Sequence, residues 1–346
     1  MIDTTPYREE MLETARALLS VDSPSGYFAD VHAYLRTRAE EEGFAFSMTN
    51  KGCAIVDIPG REKGKTVCLC AHVDTLGAMV RSVTDDGMLM FTRVGGPILP
   101  TLDGEYCRVH TREGKEYTGT ILSLSPAAHV FPDSVSRARD DENMAMRIDE
   151  KVRSKEDVRA LGIAPGDYIF IDPKTEVTQS GFLKSRFIDD KGSAACLLTL
   201  LRLLRREKVS PRYDTKLYFS VYEEVGHGGA GIPACDEVLA VDMGCVGLDM
   251  SCTEYDVSIC AKDSGGPYDY EMVSRLVALA KDHGVSHAVD IYPMYSSDVT
   301  VAWRAGHDTR GALIGPGVSA SHGMERTHVD GLENTLKLVL LYLEAL

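Results

Sequence analysis

The chain has 346 residues and carries 37 Lys and Arg residues against 52 Asp and Glu residues, a formal net charge of −15. An excess of negative charge of this size repels phosphate, which argues against nucleic acid and anionic membrane surfaces as partners. With 44% hydrophobic and 26% charged residues, the composition is typical of a soluble globular protein with one large domain or two ordinary ones.

The sequence carries no sign of secretion or of a membrane span. Its first residues, MIDTTPYREEM, lack the apolar segment of a secretory signal, and its longest apolar stretch, ACLLTLLRLL, is interrupted by Arg202. That stretch is also too short to cross a bilayer. The nine cysteines are scattered without a CxxC pair, which is typical of reduced thiols. We therefore expect a cytoplasmic protein with no membrane or nucleic-acid partner.

The first 75 residues alternate helix and strand signals. Pro6 precedes an apolar stripe at helical spacing that includes Met11, Ala15 and Leu18, which predicts a helix. A second amphipathic segment, YLRTRAEEEG, predicts another helix. The runs CAIVDI and TVCLCAH follow, and the near-continuous apolarity of the second indicates a central strand buried on both faces.

Residues 76–171 have a different pattern. Short β-like runs (GMLMFTRV, YCRVHT, YTGTILSL and DYIFID) alternate with glycine-containing turns. This pattern predicts a small β-rich domain, a barrel, inserted into the surrounding α/β domain. The predicted organisation is a first part of the main domain (1–75), an inserted domain (76–171) and a second part of the main domain (172–346).

The α/β alternation returns after residue 185. The segments KLYFSVYEE, EVLAVDMG and GALIG predict strands, whereas KGSAACLLTLLRLLRREK, YEMVSRLVALAKDHG and LENTLKLVLLYLEAL predict helices. Such alternation predicts an α/β main domain with three layers, α/β/α, around a mixed central sheet.

Acidic residues and histidines stand where several predicted strands end. Ligands of an open α/β sheet gather at the carboxyl ends of its strands, so these residues are candidates for one site. Each alone has an ordinary structural explanation, such as a turn, a helix cap or a solvated surface. Together they would repel one another strongly unless divalent cations lay among them. The candidates are His72, Asp74, Asp189, Asp190, Glu223, Glu224, Asp242 and His322.

The types of candidate ligand indicate which cations would bind. Two histidines and several carboxylates, without cysteine, suit zinc, cobalt or manganese better than calcium or an iron–sulfur cluster. A pair of ions needs terminal ligands on each side and one bridging carboxylate. From the candidate ligands we predict that His72 and Asp242 bind one ion, that Glu224 and His322 bind the other, and that Asp189 bridges the two.

Two of the three remaining carboxylates, Asp74 and Glu223, have predicted roles. Asp74 lies two residues from His72 and should point to the same side of the strand, where it could accept a hydrogen bond from the second imidazole nitrogen. Glu223, beside the ligand Glu224, could take a proton from a water whose pKa the metals lower and pass it to a leaving amine. We therefore predict Glu223 as the general base and Asp74 as the residue that orients His72.

Five segments, in this order, resemble those of the dinuclear metallo-aminopeptidases of the glutamyl-aminopeptidase or TET type, some of which carry an older endoglucanase or cellulase label. They are AHVDTLGAMV, FIDDKGSA, VYEEVGHGGA, LAVDMG and SHGMERTH. The resemblance implies a zinc-peptidase-like fold, two divalent metal ions per subunit, the ligands and base named above, and a short peptide as substrate. It also implies a cis peptide bond between Asp189 and Asp190, and an inserted domain that mediates dimerisation and assembly into dodecamers. The expected metal is zinc or cobalt, with manganese as the alternative.

Spacing distinguishes this family from relatives that share its ligand types. His72 precedes Asp189 by 117 residues, whereas Glu224 precedes Asp242 by only 18. The insertion is therefore early, while the related carboxypeptidases and deacylases insert their extra domain later. Three other interpretations stay open: a related metal-dependent carboxypeptidase or deacylase, an endoglucanase, and a non-catalytic assembly protein.

The sequence departs from the family pattern at Lys191 and at His227-Gly228. The preferred N-terminal residue, the native metal, the oligomer size and the physiological peptide are therefore left open. So is the question of which further polar residues contact the substrate. The residues concerned are Tyr268, Asp269, Asp298 and His328.

Overall fold

The computed structural model describes residues 2–344. The chain divides into two compact units, of which the first combines residues 1–75 with residues 174–346 and the second comprises residues 76–173. The helices of the first unit are α1 (Arg8–Leu19), α2 (Ala29–Glu41), α4 (Ile188–Glu207), α5 (Tyr270–Asp282), α6 (Asp298–Arg304) and α7 (Val329–Tyr342). The second unit contains α3 (Lys155–Ala160).

The first unit is built on a ten-stranded sheet, with a separate sheet of three strands. Its strands are β1 (Ala45–Met48), β2 (Ala54–Ile58), β3 (Glu62–His72), β10 (Glu176–Val177), β11 (Phe182–Ser185), β12 (Tyr213–Ser220), β13 (Glu237–Val241), β14 (Gly244–Cys245), β15 (Val257–Asp263), β16 (Gly266–Pro267), β17 (His287–Ile291), β18 (Arg310–Val318) and β19 (Glu325–His328). Strands β10, β11 and β19 form the small sheet.

Four neighbouring strands at the centre of the large sheet, in the order β12, β3, β13 and β18, run parallel. On either side the direction reverses, because β2 is antiparallel to β12 and β15 is antiparallel to β18. The prediction of an α/β fold with a mixed central sheet is therefore confirmed. The four parallel strands place their carboxyl ends along one edge, the edge at which ligands of α/β sheets gather.

The apolar segments form these elements by burying nearly all of their side chains. The last six residues of β3 and all of β13 are buried, as expected for central strands covered on both faces. Helix α4 is buried along most of its length and packs against α1, α7 and β3. Its fully buried Leu197, Leu200 and Leu201 each contribute about 1.5–3 kcal/mol through the hydrophobic effect. This packing fixes the start of α4, where Asp189 lies.

The first predicted helix begins later than its sequence signal. Pro6 lies in a 3₁₀ turn, Thr5–Tyr7, and the α-helix starts at Arg8. The predicted apolar stripe is present, since Met11, Ala15 and Leu18 are all buried. Among the described residues no helix is long and apolar enough to span a bilayer.

The second unit is a closed barrel of six strands, as predicted. The strands are β4 (Gly77–Val83), β5 (Leu89–Val94), β6 (Glu105–His110), β7 (Glu116–Ser123), β8 (Met144–Ile148) and β9 (Tyr168–Ile171). Around the barrel they follow the order β4-β5-β8-β7-β6-β9, and neighbouring strands are antiparallel. Closure gives each barrel strand a hydrogen-bonded neighbour on both sides.

Candidate metal centre

The carboxyl ends of the four central strands bring most of the predicted site residues together. His72 is the last residue of β3, and Asp242 directly follows β13. Glu223 and Glu224 begin a short 3₁₀ turn three residues after β12, and His322 lies four residues after β18. In each case the apolar strand is followed by polar residues. Because the four strands are parallel, these residues all lie at the same edge of the sheet.

Asp189 lies between the two histidines. Its Oδ1 is 3.1 Å from Nε2 of His72, and its Oδ2 is 3.7 Å from Nε2 of His322. The same nitrogen of His322 is 3.5 Å from Oε2 of Glu224. The peptide bond between Asp189 and Asp190 is cis, as the resemblance implied. One carboxylate thus faces two imidazoles, one at the end of β3 and the other in the loop after β18.

Two overlapping groups of side chains could each hold a cation, because their ligand atoms lie within 4.8 Å of one another: His72, Asp189 and Glu224, and His72, Asp190 and Asp242. Asp190 is not one of the five predicted ligands. Its Oδ2 accepts a hydrogen bond from the backbone amide of His72 at 3.1 Å, while its Oδ1 is buried without a hydrogen-bond partner among the described residues. Its only signal in the sequence is its position beside Asp189.

The two adjacent glutamates differ in accessibility. The side chain of Glu223 is 15% exposed and its Oε2 is 3.8 Å from Nε2 of His72, whereas the side chain of Glu224 is 3% exposed. Oε1 of Glu224 is buried and has no hydrogen-bond partner within the described chain. Glu223 is therefore the glutamate that solvent can reach, and Glu224 is directed into the cluster.

The role of Asp74 differs from the prediction. Nδ1 of His72 is 3.0 Å from the carbonyl oxygen of Asp74 but 3.7 Å from its carboxylate Oδ1, so the main chain is the closer hydrogen-bond acceptor. The carboxylate instead accepts hydrogen bonds from the backbone amides of Glu223 and Glu224, at 3.1 and 3.2 Å, and from the hydroxyl of Ser25 at 2.5 Å. The Asp74 side chain therefore fixes the backbone of the glutamate pair.

On the opposite side of the cluster, Glu325 fixes backbone amides as Asp74 does. It was not among the residues predicted from the sequence. Its Oε1 accepts a hydrogen bond from the amide of His322 and its Oε2 accepts one from the amide of Asp189, both at 3.0 Å. The residue is buried, and His322 has a left-handed backbone with φ +63°. The available signal was an acidic residue three positions after His322 in SHGMERTH.

The position of Asp242, directly after β13, depends on the close approach of its backbone to β18. Its amide donates a hydrogen bond to the carbonyl oxygen of Ile314 at 2.9 Å, and its Oδ1 accepts one from the amide of Met243 at 2.6 Å. A Cβ atom on Gly315 of β18 would lie 1.2 Å from the carbonyl oxygen of Asp242. Only glycine lets the backbone of Asp242 lie this close to β18.

The pKa values of the cluster are shifted because several carboxylates are buried close together. Burial, reinforced by the neighbouring carboxylates, raises the pKa of Glu223 and Glu224 well above the usual range and raises the pKa of Asp242 to about 7. Burial also acts to raise the pKa of Asp189, but hydrogen bonding to His72 and attraction to it outweigh burial and lower this pKa. The pKa of His72 is raised because Asp189 and the other carboxylates outweigh its burial. Such a cluster is stable when a cation neutralises it.

The residues fit divalent metal ions. The donors are carboxylate oxygens and imidazole nitrogens without a thiolate, a set that suits zinc, cobalt or manganese. Buried oxygen atoms of Glu224 and Asp190 lack hydrogen-bond partners in the described part of the protein, and a buried carboxylate oxygen without a partner is costly unless it binds a cation.

Tyr268 and Asp269 have structural contacts. The buried Tyr268 hydroxyl donates a hydrogen bond to Oδ2 of Asp263 at 2.8 Å. Asp269 caps helix α5, because its Oδ1 accepts a hydrogen bond from the amide of Met272 at 2.8 Å. Both residues therefore support the fold around α5.

His328 and Asp298 are likewise engaged in the protein interior. Nδ1 of His328 accepts a hydrogen bond from the amide of Asp330 at 3.1 Å and so caps helix α7. Asp298 is buried at the start of α6, and its Oδ2 accepts a hydrogen bond from the hydroxyl of Ser220 at 2.5 Å. Burial raises the pKa of Asp298 to about 6. Asp298 lies under the loop that carries the glutamates, since Gly228 approaches both Asp298 and the amide of Glu223.

Comparison with known proteins places the chain in a family. Residues 52–338 match the model of the family described as M42 glutamyl aminopeptidase. The Bacillus subtilis protein YhfE, which carries the name of an aminopeptidase, is 42% identical over 336 residues, which make up 96% of this chain and 97% of that protein.

Two solved structures share the fold. An aminopeptidase from the archaeon Desulfurococcus kamchatkensis superposes with a TM-score of 0.87 at 20% identity, over 98% of this chain and 95% of that one. The TET1 peptidase of Pyrococcus horikoshii gives a TM-score of 0.83 at 21% identity, over 96% and 99% of the two chains. Together with the family match and the identity to YhfE, these similarities confirm the resemblance seen in the sequence: the chain belongs to the M42 glutamyl aminopeptidase family and is a peptidase.

Proposed function

We propose that the protein is a metal-dependent aminopeptidase that removes the N-terminal residue of short peptides. The observation that carries the proposal is the position of Asp189, with one carboxylate oxygen near His72 and the other near His322. A carboxylate between two imidazoles is the arrangement needed to share one ligand between two cations. Membership in an aminopeptidase family supports the type of reaction.

In this proposal five side chains hold two divalent cations. Zinc or cobalt is the expected metal and manganese the alternative, because the donors are imidazole nitrogens and carboxylate oxygens. When bound, the ions act as Lewis acids that polarise the scissile carbonyl group and lower the pKa of water. The ligands are His72, Asp189, Glu224, Asp242 and His322.

Glu223 is the proposed general base. Its side chain is more exposed than that of Glu224 and lies beside His72, while its backbone amide is fixed by Asp74. A carboxylate oxygen of Glu223 takes the proton of the attacking water and later delivers a proton to the leaving amine nitrogen. Asp74 does not move a proton; it holds the glutamate pair in position.

The alternatives have less support. A glycosidase needs two carboxyl groups that are free to act as acid and as nucleophile or base, whereas the carboxylates here crowd around imidazoles in one buried cluster. A carboxypeptidase or deacylase would use similar ligands, but the family match is to aminopeptidases. A non-catalytic assembly protein would not need a full set of candidate ligands together with a solvent-accessible glutamate.

Hydrolysis of free and blocked substrates tests the function directly. The protein, stripped with a chelator and reloaded with Zn²⁺, Co²⁺ or Mn²⁺, should hydrolyse aminoacyl p-nitroanilides with at least one of the three metals. It should leave N-acetyl amino acids, N-acetyl aminoacyl p-nitroanilides and cellulose intact, and it should be inactive while stripped. Faster hydrolysis of N-acetyl amino acids than of free aminoacyl substrates would identify a deacylase instead.

Replacing the proposed base separates catalysis from metal binding. The change Glu223→Gln should lower kcat by ~10²–10⁴-fold, because a general base contributes about that much, while the metal content stays at the wild-type value. The matched change Glu224→Gln removes a ligand rather than the base and should lower the metal content. Metal analysis and steady-state kinetics on the same preparations distinguish the two. Near-normal kcat in a metal-loaded Glu223→Gln enzyme rules out the assignment.

The contacts of Glu325 lead to a separate prediction about metal affinity. Glu325→Ala leaves the amides of Asp189 and His322 without their acceptors, so these residues are less firmly placed. We expect about 10–100-fold weaker metal binding, the usual effect of losing a residue that orients metal ligands, measured by competition with a chromogenic chelator. Glu254→Gln, which breaks the nearby ion pair with Arg326, serves as the control. Unchanged affinity in Glu325→Ala shows that the orientation of these residues does not depend on Glu325.

We also propose that the protein is a homo-oligomer in which the barrel mediates dimerisation and the dimers assemble into a dodecamer. The support is the fold shared with the Pyrococcus horikoshii TET1 peptidase, which can assemble into a tetrahedron or a large octahedral shell. Light scattering after size-exclusion chromatography should give a mass of many chains. A mass equal to the 37.8 kDa of one chain contradicts the proposal.

A cytoplasmic location is part of the same proposal. All nine cysteines are unpaired and seven of them are buried, as expected for a protein of a reducing compartment. Fractionation of the source cells tests it, and recovery of the protein outside the cytoplasm would contradict it.

A further inference from the structure

A cavity of about 360 Å³ opens beside the metal centre. His322 contributes to its wall, and so do Met243, the neighbour of Asp242, and Tyr295. The hydroxyl of Tyr295 is buried, and its pKa is raised first by burial and then by Asp242. The cavity therefore lies next to the cluster and shares His322 with it.

The lining of the cavity is apolar and carries almost no charge. It consists mainly of methionine, leucine, valine, proline and tyrosine side chains. Leu248 and Met294, which line its outer rim, are 93% and 99% exposed, so the entrance of the cavity is apolar. Among the described residues that line it, His322 is the only one with an ionisable imidazole, ammonium, guanidinium or carboxyl group. Asp249 belongs to the same loop but does not line the cavity.

One wall of the cavity, formed by residues after β13, is held in place by a buried carboxylate. Asp290 of β17 accepts hydrogen bonds from the amides of Ser251 and Cys252 at 2.8 and 2.9 Å. These bonds fix the end of the loop that carries Leu248 and Met250. Since the loop is fixed at this end and continues from Asp242 at the other, the wall is formed before substrate binds.

The opposite wall is also anchored. The hydroxyl of Tyr292 is hydrogen-bonded to that of Ser258, and the amide of Tyr292 donates to the carbonyl oxygen of Lys262 at 2.9 Å. The carbonyl oxygen of Tyr295 accepts a hydrogen bond from the amide of Ser264 at 2.9 Å. Both walls are thus attached to the sheet, and the cavity has the size and apolar character of a preformed ligand pocket.

We propose that this cavity receives the side chain of the substrate's N-terminal residue and selects uncharged apolar side chains, such as those of Leu and Met, over Glu and Lys. The inference rests on the proposed aminopeptidase function. A glutamate side chain would be desolvated there without a cationic partner, since His322 is committed to the metal cluster, and a lysine side chain would lack a carboxylate on the wall. An unpaired charge in such a pocket is costly, whereas a methylene group gains from burial.

A matched panel of p-nitroanilides measures the selectivity. With the metal-loaded enzyme, kcat/KM for Leu and Met should exceed that for Glu and Lys by about 100-fold, the range that differences in pocket contacts supply. Met250→Ala should lower kcat/KM for Leu by about tenfold and leave that for Ala within about twofold. Because Met250 is half-buried and its loss could disturb folding, Leu248→Lys on the exposed rim provides a second test. It should raise the Glu-to-Leu ratio of kcat/KM by about fivefold.

Tyr270→Ala is the control, because Tyr270 is 84% exposed on α5 and does not line the cavity; its selectivity should equal that of the wild type. Calorimetric binding of L-leucine, L-glutamate and L-lysine gives a readout that does not need turnover, and L-leucine should bind most tightly. A preference for Glu or Lys in either measurement overturns the inference while the aminopeptidase function stands. If no free aminoacyl substrate is hydrolysed, the proposed function is wrong. In that case, tightest binding of L-leucine still supports an apolar side-chain pocket, and tighter binding of L-glutamate or L-lysine contradicts it.

Discussion

The parallel alignment of four central strands forces acidic and imidazole side chains from distant parts of the chain into one buried cluster. Left alone, that cluster would be destabilised by desolvation and by repulsion between like charges. The protein holds it together through backbone amides: Asp74 binds the amides of the glutamate pair, and Glu325 binds those of Asp189 and His322. The two carboxylates stand on either side of the cluster and fix its geometry before any ion is present.

The sequence predicted the parts of the site that lie directly at strand ends. His72 and Asp242 follow nearly unbroken apolar runs, so the change from apolar to charged residues was visible without coordinates. The Asp74 carboxylate lies 3.7 Å from Nδ1 of His72, farther than the carbonyl oxygen of the same residue, because side chains alternate only within a strand and β3 ends at His72. Glu325 could not be found this way, since its role depends on the left-handed backbone of His322 meeting the start of α4.

The main features of the fold were also predictable from the sequence, whereas an element that depends on a tertiary contact was not. The barrel and the mixed sheet were visible as runs of strand signals and as alternation of strands with helices. Strand β17 was not predicted, because its pattern is inverted: Asp290 is buried, while Val289 and Ile291 are 44% and 50% exposed. The buried carboxylate is required there by the loop amides that it binds. A tertiary contact therefore overrides the local pattern, as it often does in strands.

Gly315 shows how tightly the site is tied to the scaffold. The carbonyl oxygen of Asp242 occupies the space in which any other residue would carry its first side-chain carbon. A single methyl group at this position, without touching any ligand atom, would push two neighbouring strands apart and shift the Asp242 carboxylate with them. The constraint on this residue is purely one of volume, so a chain that retained every polar group of the centre could still lose its ions through one hydrogen replaced by carbon.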